Sequence, residues 1–295
     1  MPELLDPKTL ARLSSLQLRV QSVVEGTLSG LHASPHHGSS IEFAEHKEYA
    51  HGDDIRHLDW KALAKFDRHY IKRFEDETEL KAYFLVDCSG SMEYGQPLSK
   101  LEYGSVLTAS LAYLLIRQGD QPGLLTFAEE VRSYLPPRAR SSYLSEVVGT
   151  LERVTPGGAT NLTRAIQHLT EVIAGRSLVV LLSDMFDTGE DALRLLRHLR
   201  ARRHHVVLLH LLHPDEVELP FSEVTLFSSM EDDREVLVDP GGIRKAYMTE
   251  MSAFLRRTRE SCLAGEVEYH QVITSEPLDA VLVRFMADPG RGRGR

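Results

Sequence analysis

The sequence is poor in cysteine, in tryptophan and in long apolar runs. Among its 295 residues, cysteine occurs twice, as Cys88 and Cys262, and tryptophan once, as Trp60. Two cysteines cannot build a disulfide framework, and no CxxC spacing offers a thiolate clip, so a reducing, cytoplasmic setting is expected. No stretch approaches the roughly 18 consecutive apolar residues that mark a membrane-spanning helix. The opening segment MPELLDPKTLARLSSLQLRV has no basic flank leading into an apolar run, so no secretory signal is expected. Acidic residues outnumber basic ones by 43 to 34, for a net charge of −9 and a pI of about 5.9. General nucleic-acid binding needs a basic surface and is set aside. The sequence also lacks a GxxxxGK[ST] loop, a GxGxxG turn after a strand and a GxSxG elbow. Their absence removes support for intrinsic P-loop ATPase activity, a dinucleotide site and a serine hydrolase of that kind.

What is present is ordinary globular composition, 42% hydrophobic and 26% charged, on a chain long enough for one large domain and a smaller one. Asp6-Pro7 suits a helix start, and Leu13, Leu16, Val20, Val23 and Val24 follow at helical spacing until Gly26. Residues 1–79 are expected to form a small N-terminal extension, helical and β, ending in a charged and aromatic arm. From residue 81 the pattern changes. KAYFLVD (81–87), PGLLTFA (122–128), SLVVLLSD (177–184) and HVVLLHLL (205–212) are near-continuous apolar runs, as expected of strands buried on both faces. VRSYLP is expected as a short neighbour of the second, and VEYHQVI as a late strand. Helical spacing is found over 99–118, 141–152, 161–174, 190–203, 243–261 and 277–287. This alternation predicts an α/β fold, a doubly wound, mostly parallel sheet over 80–288. Residues 289–295 are expected to be a disordered tail.

In such a sheet, ligands sit beyond the carboxyl ends of the strands. Asp87 ends the first buried strand and leads into Cys88-Ser89-Gly90-Ser91, Asp184 ends SLVVLLSD, and Thr160 follows the Gly157-Gly158 loop before a helix. Three separated segments thus bring short oxygen side chains to one rim. Hydroxyls with one or two carboxylates suit a hard divalent cation, Mg²⁺ first and Mn²⁺ or Ca²⁺ as alternatives. With only two carboxylates, the ion would keep positive character and seek a further anionic ligand. Taken singly, Asp87 and Asp184 could be helix caps, and Ser89 and Ser91 turn residues.

The set matches the metal-ion-dependent adhesion site of von Willebrand factor A-type (vWA-like) domains, which reads DxSxS after the first strand, a Thr in a Gly-rich loop, and an Asp after a later strand. Here it stands as DCSGS, GGAT and LLSD. The resemblance implies coordination by the hydroxyls of Ser89, Ser91 and Thr160, action of Asp87 and Asp184 directly or through water, and completion of the shell by a partner's Asp or Glu. Ala159 intervenes before Thr160, one residue more than the common pattern, and Thr163 is expected inside the next helix. Upstream, Phe43, His46-Lys47-Glu48-Tyr49, Gly52-Asp53-Asp54, Arg56-His57-Leu58-Asp59-Trp60 and Tyr70-Ile71-Lys72-Arg73 resemble the block of the domain-of-unknown-function fifty-eight family, with Lys47 where Arg is usual. Asp53, Asp54, Arg56 and Asp59 are expected to be a structural network. The resemblance implies a cytoplasmic partner of a MoxR-type AAA+ ATPase, engaged in protein maturation or remodelling and not itself an enzyme.

The competing enzyme reading is a Mg²⁺-dependent phosphatase-like hydrolase with Asp87 as nucleophile. That chemistry needs a second carboxylate two residues on as acid and base, and Ser89 stands there. His46-x-Glu48-x-x-His51 has its histidines five apart and does not match the HExxH spacing. His204, His205, His210 and His213 are expected to be solvated around the ends of a strand, and Cys88 to be a small packing residue. Arg194, Arg197, Arg200, Arg202 and Arg203 are expected to form a solvated basic face.

Overall fold

In a computed structural model of the chain, the described residues are 16, 19, 20, 23, 24, 46–48, 70–72, 80–186 and 189–286. The Asp6-Pro7 start, Leu13, Gly26, Phe43, the Gly52–Trp60 block, Arg73 and the tail lie outside them. The chain divides into two compact units, residues 32–79 and the remainder. In the smaller unit, β1 (His46–Glu48) pairs antiparallel with β2 (Tyr70–Lys72), His46 opposite Lys72 and Glu48 opposite Tyr70. The two ends of the charged arm are therefore hydrogen-bonded neighbours. His46 and Glu48 sit on a strand, which excludes a helical zincin arrangement.

The larger unit is an α/β sandwich. Its strands are β3 (Lys81–Asp87), β4 (Gln121–Phe127), β5 (Val131–Leu135), β6 (Ser177–Ser183), β7 (His205–Leu212) and, further on, β10 (Glu268–Ile273). They form one six-stranded sheet in the order β10-β7-β6-β3-β4-β5. All neighbours run parallel except β5, which is antiparallel to β4 at one edge. The doubly wound, mostly parallel sheet expected from the apolar runs is thus observed. The sheet is packed on both faces, and the central strands follow strict alternation. Ala82, Phe84 and Val86 enter one core, and Tyr83 and Leu85 the other.

The helices are α1 (Lys100–Arg117), α2 (Tyr143–Glu152), α3 (Leu162–Val172), α4 (Glu190–Ala201), α5 (Pro214–Glu218), α6 (Pro240–Ala264) and α7 (Leu278–Met286). Leu101, Val106 and Leu107 of α1, Val147 of α2 and Leu282 of α7 fill the first core, together with Leu16, Val20 and Val24. The leading apolar pattern therefore packs into the body of the domain. Ile166 of α3, Leu196 of α4 and Cys262 of α6 fill the second. Helix α1 opens on a capping box, in which the Glu102 N–H donates to Ser99 Oγ at 3.1 Å and the Ser99 N–H to the Glu102 carboxylate at 3.0 Å. The sequence reading starts α6 three residues late, because Asp239 as N-cap and Pro240 at N1 begin the helix upstream of the apolar periodicity.

One element has no counterpart in the apolar pattern. Strands β8 (Thr225–Ser228) and β9 (Glu235–Val238) form an antiparallel hairpin with Leu226 opposite Leu237. These two side chains are 54% and 68% exposed, so the hairpin shows an apolar face outward. The basic face on α4 is likewise not simply solvated. Arg197 donates to Ser261 Oγ at 2.5 Å, and Arg200 donates to the Glu266 carbonyl at 3.1 Å, so both tie α4 to the end of α6.

Candidate metal centre

Strand β3 lies at the middle of the sheet, so the backbone leaving its carboxyl end emerges between β4 and β6. Asp87 is the last residue of β3 and is wholly buried. Its Oδ1 accepts from the Ser89 N–H at 3.0 Å. Its Oδ2 accepts from Ser183 Oγ at 2.7 Å and from Thr160 Oγ1 at 3.2 Å. Ser89 Oγ and Ser91 Oγ stand 3.3 Å apart. Four of the five expected residues, Asp87, Ser89, Ser91 and Thr160, therefore form one hydrogen-bonded cluster.

The extra Ala159 does not remove Thr160 from it. The Gly90 N–H donates to the Gly158 carbonyl at 2.9 Å, and the Gly157 N–H donates to the Cys88 carbonyl at 3.1 Å. These two bonds lace the glycine loop to the DCSGS loop. Gly157 (φ 145°) and Gly158 (φ 76°) take backbone conformations that side chains disfavour, which lets the loop turn back on itself. From β5, the Arg132 guanidinium donates to the carbonyls of Thr155 and Gly157 and clamps the same loop from outside. Thr163 lies within α3, as expected.

Asp184, also wholly buried, is engaged differently. Its Oδ1 accepts from the Phe186 N–H at 3.1 Å and its Oδ2 from Lys100 Nζ at 2.7 Å. Lys100 is fully buried at the first turn of α1, donates also to Glu216 of α5, and lies 5.0 Å from the centre of the Phe186 ring. Met185 follows at φ 58°, an unusual left-handed conformation for a buried non-glycine residue, and its N–H donates to Ser183 Oγ at 3.0 Å. Among the described residues, Asp184 reaches Asp87 by charge rather than through a direct hydrogen bond.

The electrostatics follow from burial. Desolvation, reinforced by the Asp184 charge and opposed by the bonds from Ser89 and Ser183, raises the Asp87 carboxyl from 3.8 to about 6. Burial also pulls the Lys100 ammonium downward, but Asp184 and Glu216 outweigh it and leave the group above its ordinary value. Glu216 is pushed up by burial despite its contact with Lys100. Asp184 and Glu216 share the Lys100 ammonium, and Asp87 adds a third carboxylate bonded only to neutral donors among the described residues, so negative charge is in excess here. A hard divalent cation matches both the oxygen donors and that excess, so the residues present fit such an ion.

The histidines expected to be solvated are not. His204, His210 and His213 are buried, and His205 contacts the Glu268 carboxylate at 2.8 Å. His210 Nε2 donates to the Asp184 carbonyl at 2.7 Å, and its Nδ1 faces the Tyr269 hydroxyl at 2.9 Å. Burial drives its pKa down from 6.5 to about 4, so it is a neutral strut beneath Asp184. Cys88 lies in the first core and donates to the Phe127 carbonyl, and burial raises its thiol to about 12, as suits an inert packing residue. A cleft of about 320 Å³ opens beside Ser91, lined by Tyr94, Phe186, Glu216, Phe227 and Tyr247 among others. A larger recess of about 610 Å³ lies between β5 and α3, and none of the five expected residues lines it.

Sheet order and site together define an α/β protein with an oxygen-lined acidic centre at the carboxyl edge of its central strands. The chain belongs to the family described as "Protein of unknown function DUF58", whose model matches residues 45–257. It is 27% identical, over 97% of its length and 92% of the relative, to "Uncharacterized protein Rv1480" of Mycobacterium tuberculosis, and equally to "Uncharacterized protein Mb1516" of Mycobacterium bovis. Among solved structures it is similar to BatB from Bacteroides thetaiotaomicron (17% identity, TM-score 0.46, 70% of this chain and 97% of that one). It is also similar to a von Willebrand factor type A protein from Catenulispora acidiphila (17% identity, TM-score 0.35, 45% of this chain and 33% of that one). Among the described residues, no helix is long and apolar enough to cross a membrane.

Proposed function

We propose that this chain is a metal-dependent protein-binding module that takes Mg²⁺, or Mn²⁺ or Ca²⁺ in its place, at Asp87, Ser89, Ser91, Thr160 and Asp184. The observation that carries the reading is the cluster around Asp87, where three chain segments bring hydroxyls to one buried carboxylate. Asp87 fixes the hydroxyls of Thr160 and Ser183, and the glycine loop and DCSGS loop hold Thr160, Ser89 and Ser91 at one rim. Asp184, which shares Lys100 with Glu216, contributes negative charge from behind. When bound, the cation supplies a positive centre for a carboxylate of an acidic partner. No step of catalysis is assigned to these residues. Both oxygens of Asp87 are taken up by donors and the carboxylate is buried, which is poor provision for a nucleophile, and Ser89 cannot serve as acid and base. Family membership and composition support a cytoplasmic partner of a MoxR-type AAA+ ATPase, acting in protein maturation or remodelling.

The test is capture of such an ATPase by the immobilised full chain, with Mg²⁺ and with EDTA, for wild type and Asp87→Ala, alongside phosphate release from a generic phosphate ester. Mg²⁺-dependent capture lost in the variant, with no turnover in either protein, is the expected outcome. Turnover that disappears with Asp87→Asn would replace this reading with the hydrolase.

A further inference from the structure

The cleft beside Ser91 is covered by the turn of the β8–β9 hairpin. That turn sits directly on the DCSGS loop: a Cβ added at Gly90 would stand 1.8 Å from the Met230 carbonyl oxygen and 3.3 Å from the Glu231 nitrogen. Only glycine at position 90 allows this approach. Glu231 lines the same cleft as Ser91. Its backbone is fixed by the turn, in which the N–H groups of Glu231 and Asp232 both donate to Ser229 Oγ at 3.3 Å. Yet Glu231 Oε1 is buried and has no hydrogen-bond partner among the described residues. A carboxylate oxygen withdrawn from water without a donor is unfavourable unless a cation or a donor completes it.

Among the described residues, the hairpin stands apart from the six-stranded sheet. Among the described residues its strands pair only with each other, and a lone two-stranded hairpin is marginal in water. Its inner side rests on the edge contact between Phe221 and Phe227, ring centres 5.4 Å apart, while Leu226 and Leu237 face outward.

We infer that Glu231 is the chain's own carboxylate ligand for the cation, and that the hairpin is a latch which an acidic partner must displace. The inference rests on the metal-binding reading above. Glu231 is tethered in the wall of the cleft itself, so it competes at high effective concentration with any free carboxylate. The isolated chain then holds its metal tightly and its acidic ligand weakly, and a contact that draws the hairpin away reverses both.

The experiment is Mn²⁺ binding to the full chain, followed by the electron paramagnetic resonance of free Mn²⁺, for wild type, Glu231→Gln, Asp87→Asn and Asp233→Asn. Asp233 is an exposed acid on the same turn and controls for the loss of one charge. Hydrogen exchange of the 229–238 amides, with and without Mg²⁺, is the second readout. Expected are binding in wild type that is lost in Asp87→Asn and unchanged in Asp233→Asn. In Glu231→Gln it weakens by at least about tenfold, the loss that even an outer partner of a metal ligand commonly brings. Mg²⁺ slows hairpin exchange in wild type and not in Glu231→Gln. Unchanged Mn²⁺ affinity in Glu231→Gln, with hairpin exchange indifferent to metal, overturns the latch and leaves the metal site standing. Absence of Mn²⁺ binding to wild type overturns both.

Discussion

The excess negative charge around Asp87 makes one substitution informative in both sign and size. Asp87→Asn replaces a buried carboxylate with a neutral group of the same shape, and the Ser183 and Thr160 hydroxyls can reorient around it. The Asp87 pKa rises from 3.8 to about 6 in the fold. A group raised in this way contributes stability that is fully present below its unfolded pKa and is lost as pH rises through its folded pKa. A shift of about two units at 1.36 kcal/mol each makes the ionised carboxylate cost about 3 kcal/mol at pH 7. In EDTA at pH 7, Asp87→Asn is therefore expected to unfold later than wild type. At about 2–4 °C per kcal/mol, the gain in midpoint is roughly 6–12 °C. The difference shrinks as pH falls from 6 and vanishes below 4. His210 titrates over the same range with the opposite sign, but it is common to both proteins and cancels in the comparison. Millimolar Mg²⁺ then acts on wild type alone. At about 100 times its Kd, it adds about 2.7 kcal/mol and closes the gap. Thermal unfolding by circular dichroism across pH 4–8 measures all of this. A variant no more stable than wild type in EDTA at pH 7 refutes the electrostatic argument, and a wild type indifferent to Mg²⁺ refutes the metal.

Other substitutions probe the supports of the site. Lys100→Met strands Asp184 and Glu216 without their shared cation and should cost about 3–5 kcal/mol in denaturant unfolding, the usual range for breaking a buried pair. His210→Phe leaves the Asp184 carbonyl and the Tyr269 hydroxyl without this partner, at about 1–3 kcal/mol each. It also removes the His210 share of the pH dependence, because a depressed His contributes stability that disappears as pH falls through its folded pKa, so the variant gains on wild type between pH 6.5 and about 4, and urea melts of both proteins at the two pH values read that difference. Arg132→Ala frees the carbonyls of Thr155 and Gly157, so Mg²⁺ affinity by calorimetry should fall about 10-fold with little change in the metal-free melting point.

The sheet, and the meeting of Asp87, Ser89, Ser91 and Thr160 at one rim, were legible because both follow strong, local rules. Runs such as SLVVLLSD admit few alternatives once helices separate them, and a polar residue ending such a run falls on the carboxyl edge. The supporting residues obey no such rule. Lys100 opens a helix at a position where lysine is ordinarily solvated, and only the approach of α5 and β6 buries it. Ser183 reads as the last residue of a strand, with nothing to mark it as a donor to a carboxylate 96 positions earlier. His210 is one of 14 histidines, and strand alternation alone does not say that its inward face meets a carbonyl. The hairpin was unread because TLFS and EVLV are short and mostly exposed, so neither carries a burial period. Nothing in the run Glu231-Asp232-Asp233 distinguishes Glu231, whose place depends on the close approach of its turn to Gly90.

The central place of β3 also has a consequence for the order in which the molecule comes into being. Strand β3 is synthesised early, but its partner on one side, β6, follows only after α1, β4, β5, α2 and α3. Contacts between parts of the chain so far apart in sequence are slow to form, because closing the intervening loop costs entropy before any contact rewards it. Asp87 therefore waits on the nascent chain without Ser183, Thr160 or the counter-charges behind Asp184. The cluster around Asp87 exists only once the sheet has closed around its middle strand, so its assembly marks the moment at which this part of the chain has finished folding.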